Sequence, residues 1–462
     1  MLDRLFHFIE SERLFTKDDQ VLVGLSGGPD STCLLHALVT LGFKCVAAHL
    51  HHGQRPEAEQ EVKFCQRLAV SLGVPFMSGR ADVPLIAKEL RVGLEEAGRE
   101  ARYDFFERAA SQTGCNRIAV AHTIDDQLET VLLNLTRGTG MTGLRGIPVR
   151  RDDIVRPMLA VSKLEALAYC EHRELSFLTD PANADIVFSR ARIRHRVTPE
   201  LRRINPAVAQ AVHRMTKIVG EEDDFLNGMA AAALEQSEHV GNPGLAFLTR
   251  HLELILHRDI ISTLPPVLFK RAVQLASKTL GSPLDYKLLS QFASQIATTE
   301  KGALTSPGGI VHMDWNSKYI GLRRSEPLPP FRETFEFPGS VESDRLGWNL
   351  TGRIQRYSPE PNTRRSRNIQ ISLKKIRRPL YFRSSLPGDR MQPIGFIGHR
   401  KLSDLCAESG LSIEARRRLP IVCDFLGPFW APGVCMDSRT NPDPDESEVL
   451  ALHFASTEAI QP

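Results

Sequence analysis

The stretch that most constrains this chain is Val21 to Ser31, Val-Leu-Val-Gly-Leu-Ser-Gly-Gly-Pro-Asp-Ser. An apolar run with β-branched residues, too short for a helix, stops at Ser26-Gly27-Gly28-Pro29, and Leu34, Leu35, Leu38 and Leu41 then recur at helical spacing. The pattern predicts a strand, a tight glycine turn and a helix. In that geometry the free N–H groups of the first helical turn and the helix dipole form an anion site, and Gly27 and Gly28 let the backbone close around a phosphate. Ser26 and Ser31 add hydroxyl donors. The loop lacks the Gly-Lys-Ser/Thr end of a Walker A sequence, and with it the lysine that grips the terminal phosphates. Asp30 stands there instead. A carboxylate beside phosphates is repulsive unless a cation comes between them, which assigns Asp30 to Mg²⁺. An ordinary strand-to-helix turn with an Asp near the helix start has the same spacing, so the loop alone leaves both readings open.

The chain after it repeats the alternation. Lys44 to Leu50 reads as a second strand, ending in His49-Leu50-His51-His52-Gly53, Ala58 to Leu72 as an amphipathic helix and Val74 to Gly79 as a third strand. This βαβαβ order predicts a doubly wound, mostly parallel sheet whose ligand lies at the carboxyl ends of the strands, and so gives His49 to a nucleotide rather than a metal. Leu94 to Gly114 is a long helix with Arg99 and Arg102 on a shared face. Arg117 to His122 reads as a fourth strand, followed by a helix whose core face is Leu128, Val131, Leu132 and Leu135. Acidic residues suit the start of a helix. Asp125, Asp126 and Glu129 beside His122 exceed what capping needs, and fit Mg²⁺ and a cationic amine. Ile154 to Leu159 is expected as a fifth strand, Ser162 to His172 as a helix and Leu175 to Thr179 as a short last strand. Beyond Asp180-Pro181-Ala182-Asn183, Arg190, Arg192, Arg194 and Arg196 alternate in a helix, a spacing that suits phosphate contact better than a membrane.

At 462 residues the chain exceeds one core. The expected division is a catalytic domain over residues 1–220 with a connector helix to about 240, a small helical α/β binding domain over 241–326, and a basic domain over 331–462. The net charge of +3 hides a local excess: Thr351 to Pro420 holds 16 Lys plus Arg against 5 Asp plus Glu, which fits a polyanion such as RNA. Arg390, Arg400 and Lys401 lie in this stretch. The eight cysteines are scattered without a Cys-x-x-Cys pair, which argues for reduced thiols and against a zinc ribbon or cluster. No apolar run reaches about 18 residues, and Met1-Leu2-Asp3-Arg4 does not begin a secretory signal. A cytoplasmic chain with no membrane partner is expected, and a homodimer is left open.

The loop Ser26 to Ser31 resembles the PP-loop of the N-type ATP pyrophosphatases, which cleave ATP between its α- and β-phosphates and adenylate an oxygen of their substrate. The ordered set is more specific. The loop, His49 with His51-His52-Gly53, Glu95-Glu96-Ala97 with Arg99, Arg102 and Tyr103, His122 with Asp125-Asp126 and Glu129, Arg156-Pro157-Met158-Leu159, Asp180 with Asn183 and Arg190 to Arg194, and Pro387-Gly388-Asp389-Arg390 through Lys401-Leu402 together resemble the tRNA(Ile)-lysidine synthases. Thr123, Ala182 and Ala191 depart from that pattern. The resemblance implies ATP with Mg²⁺ as cofactors and two steps. ATP adenylates the 2-oxygen of the wobble cytidine of a tRNA(Ile) with anticodon CAU, and L-lysine then displaces AMP through its ε-amine. In that scheme Ser26, Gly27, Gly28, Pro29, Asp30, Ser31 and His49 bind ATP, and Asp30 and Asp126 hold the metal. Asp30, Arg102, His122, Asp126 and Glu129 serve catalysis, with His122 as base. Arg99, Asp125, Asp180, Asn183, Arg190, Arg192, Arg194, Arg390, Arg400 and Lys401 contact substrate or tRNA. A PP-loop tRNA 2-thiolation enzyme and an RNA-binding protein with a decayed ATP site are the rival readings. The cysteine spacing speaks against the first and the intact loop and carboxylates against the second.

Overall fold

Val21, Leu22 and Val23 are fully buried in the middle of the first strand, and the architecture of the N-terminal half follows from what packs on each side of them. The computed structural model describes residues 1–51, 58–178, 189–358 and 362–457. The chain divides into two units, Met1–Asp224 and Phe225–Pro462.

In the first unit the strands are β1 (Gln20–Gly24), β2 (Lys44–His51), β3 (Phe76–Arg80), β4 (Arg117–Ala119), β5 (Arg150–Arg151) and β6 (Ile154–Val155). They form one sheet in the order β3-β2-β1-β4-β6-β5, parallel except for β5, which pairs antiparallel with β6 at the edge. The helices are α1 (Leu2–Ser11), α2 (Pro29–Thr40), α3 (Ala58–Ser71), α4 (Val83–Leu90), α5 (Leu94–Thr113), α6 (Ile124–Thr136), α7 (Met141–Leu144) and α8 (Lys163–His172). Strand alternation divides the core in two. Val21, Val23, Ala47 and Ala119 pack with Leu5, Leu34, Leu35 and Tyr169 of α1, α2 and α8, whereas Leu22, Val46, Ala48 and Ile118 pack with Phe105, Phe106 and Ala109 of α5. Each of the Val, Leu, Ile and Phe side chains among them contributes about 1.5–3 kcal/mol on burial, and each alanine less. Gly24 lets α5 come close: a Cβ there would lie 2.7 Å from the Phe106 ring. The chain lays β1, β2 and β3 to one side and then returns to place β4 on the other side of β1. Ligands of open α/β sheets bind at this switch, at the carboxyl ends of the strands.

Three expected strands differ. β4 ends at Ala119, so His122 stands in the connection to α6 rather than in the sheet. The stretch Ile154 to Leu159 is a strand only to Val155, because Pro157 starts a 3₁₀ turn, Pro157–Ala160. Leu175 to Leu178 forms no strand, since the Leu178 amide donates to the Gly27 carbonyl at 2.8 Å and its side chain backs the glycine turn.

A long helix, Val208–Ser237, carries the chain into the second unit. There Glu253–His257, Tyr319–Arg324, Val311–Trp315 and Gly302–Thr305 form an antiparallel sheet covered by the helices Pro266–Thr279 and Tyr286–Thr298. This segment contains more strand than its helical pattern suggests. Further on, a five-stranded and a four-stranded sheet share a core that includes Trp348, Phe382, Trp430 and Phe454. The last strand, Glu448–Ser456, is central and pairs on both sides. No helix among the described residues is long and apolar enough to cross a membrane.

Candidate active site at the sheet switch point

Two connections meet at the switch. The first is the glycine turn after β1. Gly27 takes φ +84°, a left-handed conformation that disfavours a side chain, and a Cβ would also meet Leu178 at 2.9 Å. Gly28 caps α2 without a side chain, and Pro29 begins the helix where its missing N–H costs nothing. The first-turn amides of α2 therefore lack a side-chain cap. The serines hold the turn together: Ser31 Oγ donates to Gly28 O at 3.1 Å, accepts from the Ser26 amide at 3.1 Å and lies 3.0 Å from Ser26 Oγ. Asp30 Oδ1 is buried with no hydrogen-bond partner, and burial raises the carboxyl to about 6 against the pull of the Lys163 ammonium. An orphaned carboxylate oxygen beside a bare helix start fits a cation shared with a phosphate. Among the described residues no group of three His, Cys, Asp or Glu side chains forms a cation cage by itself, so the remaining ligands would have to be phosphate oxygens and water.

The second connection starts α6. Thr123 caps the helix and Asp126 closes a capping box, its Oδ2 accepting from the Thr123 amide and hydroxyl, each at 2.8 Å. Its Oδ1 accepts from Lys163 Nζ at 2.9 Å. Burial opposes charge on Asp126, but Lys163, His122 and the Thr123 donors hold its carboxyl well below the usual range. Glu129, 2% exposed, takes a bidentate pair from Arg194 at 2.7 and 2.9 Å and a further bond from Arg190 at 3.1 Å, with Lys163 Nζ 3.6 Å away. Asp125 accepts from the Lys163 amide at 2.7 Å and pairs with Arg202. Three nearly buried carboxylates are thus balanced by four cations from later in the chain. His122 borders them with its Nδ1 buried and unpartnered, and burial pulls its pKa to about 3, so the ring is neutral at physiological pH.

Lys163 is the residue that sequence reasoning missed; Arg202, within the basic stretch Arg190 to Arg203 expected to hold tRNA, pairs with Asp125 instead. A signal for Lys163 existed: it is the first residue of α8, inside the Ser162 to Glu165 capping box, where the helix dipole disfavours a cation. Only nearby carboxylates justify it. Arg190 and Arg194, expected on tRNA, are engaged by Glu129, while Arg192 is exposed. At the end of β2, His49 is 4% exposed. Its Nδ1 lies 2.8 Å from the Leu25 carbonyl and donates to it, and its Nε2 is left as an acceptor without a partner. Arg99 of α5 and Arg151 of β5 stand over the Tyr103 ring at 5.0 and 5.4 Å, and Arg156, 1% exposed, bonds Tyr103 and the Pro148 carbonyl. Arg102 adds its charge to the group. Arg99, Arg151 and Arg156 have no carboxylate partner among the described residues, and both Arg156 and Arg99 depress His122 electrostatically. Asp180 and Asn183 lie outside the described residues. Arg390, Arg400 and Lys401 belong to the second unit, on the short ladder Arg390–Met391 with Arg400–Lys401.

A parallel-sheet switch point with a capless glycine turn on one strand and a histidine-carboxylate cluster on its neighbour defines a phosphate-handling α/β domain, and a PP-loop domain model matches residues 2–201. The TilS substrate C-terminal domain model matches residues 380–453. Among curated proteins, the tRNA(Ile)-lysidine synthase of Geobacter sulfurreducens is 31% identical over 94% of this chain and 92% of its own. That of Geobacillus kaustophilus is 31% identical over 94% and 95%. That of Caldanaerobacter subterraneus is 27% identical over 98% and 97%. The chain belongs to the tRNA(Ile)-lysidine synthase family, a family of ligase-type, tRNA-modifying enzymes.

Proposed function

We propose that this enzyme joins L-lysine to the 2-carbon of the wobble cytidine of a CAU-anticodon tRNA(Ile), in two steps at the switch point. The observation that carries the reading is the pairing of a bare phosphate turn with a buried acidic pocket already shaped around an ammonium, that of Lys163. In the first step the α2 amides and the Gly27-Gly28 backbone receive the ATP phosphates, and the cytidine 2-oxygen attacks the α-phosphorus as pyrophosphate leaves. Asp30, with Asp126 as a second candidate, would hold Mg²⁺, which supplies charge neutralisation for the leaving group. Lys163, within electrostatic reach of Asp30, supplies the cation that the loop lacks. In the second step Asp126 and Glu129 exchange the Lys163 ammonium, which turns to the phosphates, for that of the lysine substrate, and Arg99 and Arg102 balance the adenylate. The attacking amine must be neutral although its reference pKa is about 10.4. The ammonium gives its proton to water, and the neutral amine attacks the 2-carbon as the bond to the AMP oxygen breaks, its second proton passing to water as AMP leaves. His122, itself neutral, accepts a hydrogen bond from that amine and orients its lone pair; with so low a pKa it does not keep either proton.

The test is incubation with ATP, Mg²⁺, labelled lysine and the CAU tRNA(Ile). Label in the tRNA and release of AMP and pyrophosphate are expected, and folded protein that transfers no label overturns the reading. Asp30→Ala is expected to abolish pyrophosphate release while leaving tRNA affinity within about two-fold, because binding rests on cations elsewhere.

A further inference from the structure

One exposed apolar feature has no part in the chemistry above. In the second unit the ladder Arg390–Met391 with Arg400–Lys401 is the root of a hairpin whose tip is Gly395-Phe396-Ile397-Gly398. Ile397 is fully exposed and Phe396 is 46% exposed, and every residue from Gly395 to His399 faces solvent, so the tip is convex. It is also well defined. Gly395 and Gly398 take φ of +80° and +88°, the Phe396 amide donates to Pro393 O at 3.1 Å, and Gln392 Nε2 reaches Phe396 O at 3.3 Å. The Phe396 ring is flanked by guanidiniums, Arg364 at 4.9 Å and Arg400 at 6.0 Å, both held by Glu408. Arg390 and Lys401 at the root are exposed and have no ion-pair partner among the described residues.

Two features constrain the partner. An acidic protein or a phosphate alone would use the cations and has no need of a bare isoleucine at a glycine-framed tip. A single flipped-out base is gripped between two walls, whereas a convex tip offers one face. We infer that Phe396 and Ile397 form a wedge that stacks on the open end of an RNA stem while Arg390 and Lys401 take its flanking phosphates. Aliphatic and aromatic wedges are apolar enough to cover a base face, and the π surface they meet is independent of sequence. The cations set charge complementarity. This rests on the reading of the enzyme as acting on tRNA, but concerns RNA binding and not ligation.

The experiment uses the full chain and two RNAs of equal stem length and charge, one open-ended and one closed by a loop at both ends. Wild type is expected to bind the open-ended RNA more tightly, and Ile397→Ser and Phe396→Ala to weaken it about ten-fold while leaving the closed RNA and the salt slope unchanged. Arg390→Ala is expected instead to weaken both RNAs and lower the salt slope by about one. Ile397 buries nothing, so its variant keeps the fold. Equal binding of the two RNAs by wild type overturns the proposal. So does a variant that loses adhesion to anionic lipid vesicles but keeps its affinity for the open-ended RNA. Lysine transfer is not read, so failure here is separable from failure of the proposed ligation.

Discussion

At the scale of the residue, Lys163 concentrates the electrostatics of the site. It bonds Asp126 and lies close to Glu129, and it is the largest electrostatic influence opposing the burial of Asp30. Lys163→Met is expected to cut pyrophosphate release by about a hundred-fold, the scale of losing one preorganised donor at a developing charge. Removing one partner of a nearly buried ion pair also costs about 3–5 kcal/mol. Activity must therefore be compared at temperatures where a denaturation curve shows the variant folded. Turnover within about two-fold of wild type in folded Lys163→Met would remove the lysine from the chemistry. Glu129→Gln separates the two steps: it is expected to raise the lysine concentration needed for half-maximal transfer while pyrophosphate release proceeds, measured in separate assays.

At the scale of the element, close approach and capping make firm expectations. Gly24→Ala places a methyl against Phe106 and should destabilise by about 1–3 kcal/mol, read as a lower urea midpoint. Thr123→Ala removes half of a capping box and should cost about 1 kcal/mol by the same measurement. The elements that were legible in the sequence are those whose signal is local. The glycine turn, α2, α5 and α6 each carry their own period and caps within about twenty residues, and the structure shows them as expected. What was not legible depends on distant partners. Lys163 meets Asp126 across 37 residues and Arg202 meets Asp125 across 77, and no spacing rule connects them. The apolar run after Ile154 looked like one strand because its content suits a strand, but Pro157 ends it. Glu253–His257 looked like part of a helical region because its pairing partner, Tyr319–Arg324, lies more than sixty residues on.

At the scale of the whole molecule, the histidines set a pH dependence. His36, His49, His122, His213 and His239 are all lowered, in each case chiefly by burial. Unfolded, each binds a proton near pH 6.5, and folded, each binds it only at lower pH, so unfolding takes up protons. Stability is then full above about pH 6.5 and falls as pH drops toward the folded values. Asp30, raised to about 6, works the other way and gains stability as pH falls through that value, but it is one carboxyl against five rings. A denaturation midpoint that declines between pH 7.5 and 5 in an Asp30→Asn background is the expected result, and a flat or rising midpoint there would show that the rings are not held neutral.

The acidic start of α6 also has a consequence in time. Asp125, Asp126 and Glu129 precede all four of the cations that balance them, Lys163, Arg190, Arg194 and Arg202, and Asp30 precedes Lys163 and Arg194, whose charges reach it. During synthesis the carboxylates emerge first, so the starts of the two helices that carry them, α2 and α6, face one another as like charges until the chain has grown past its two-hundredth residue. A nascent chain halted after α6 should therefore stay open to protease at the switch point, and closing of the phosphate turn becomes a late event, timed by the ribosome rather than by the sheet.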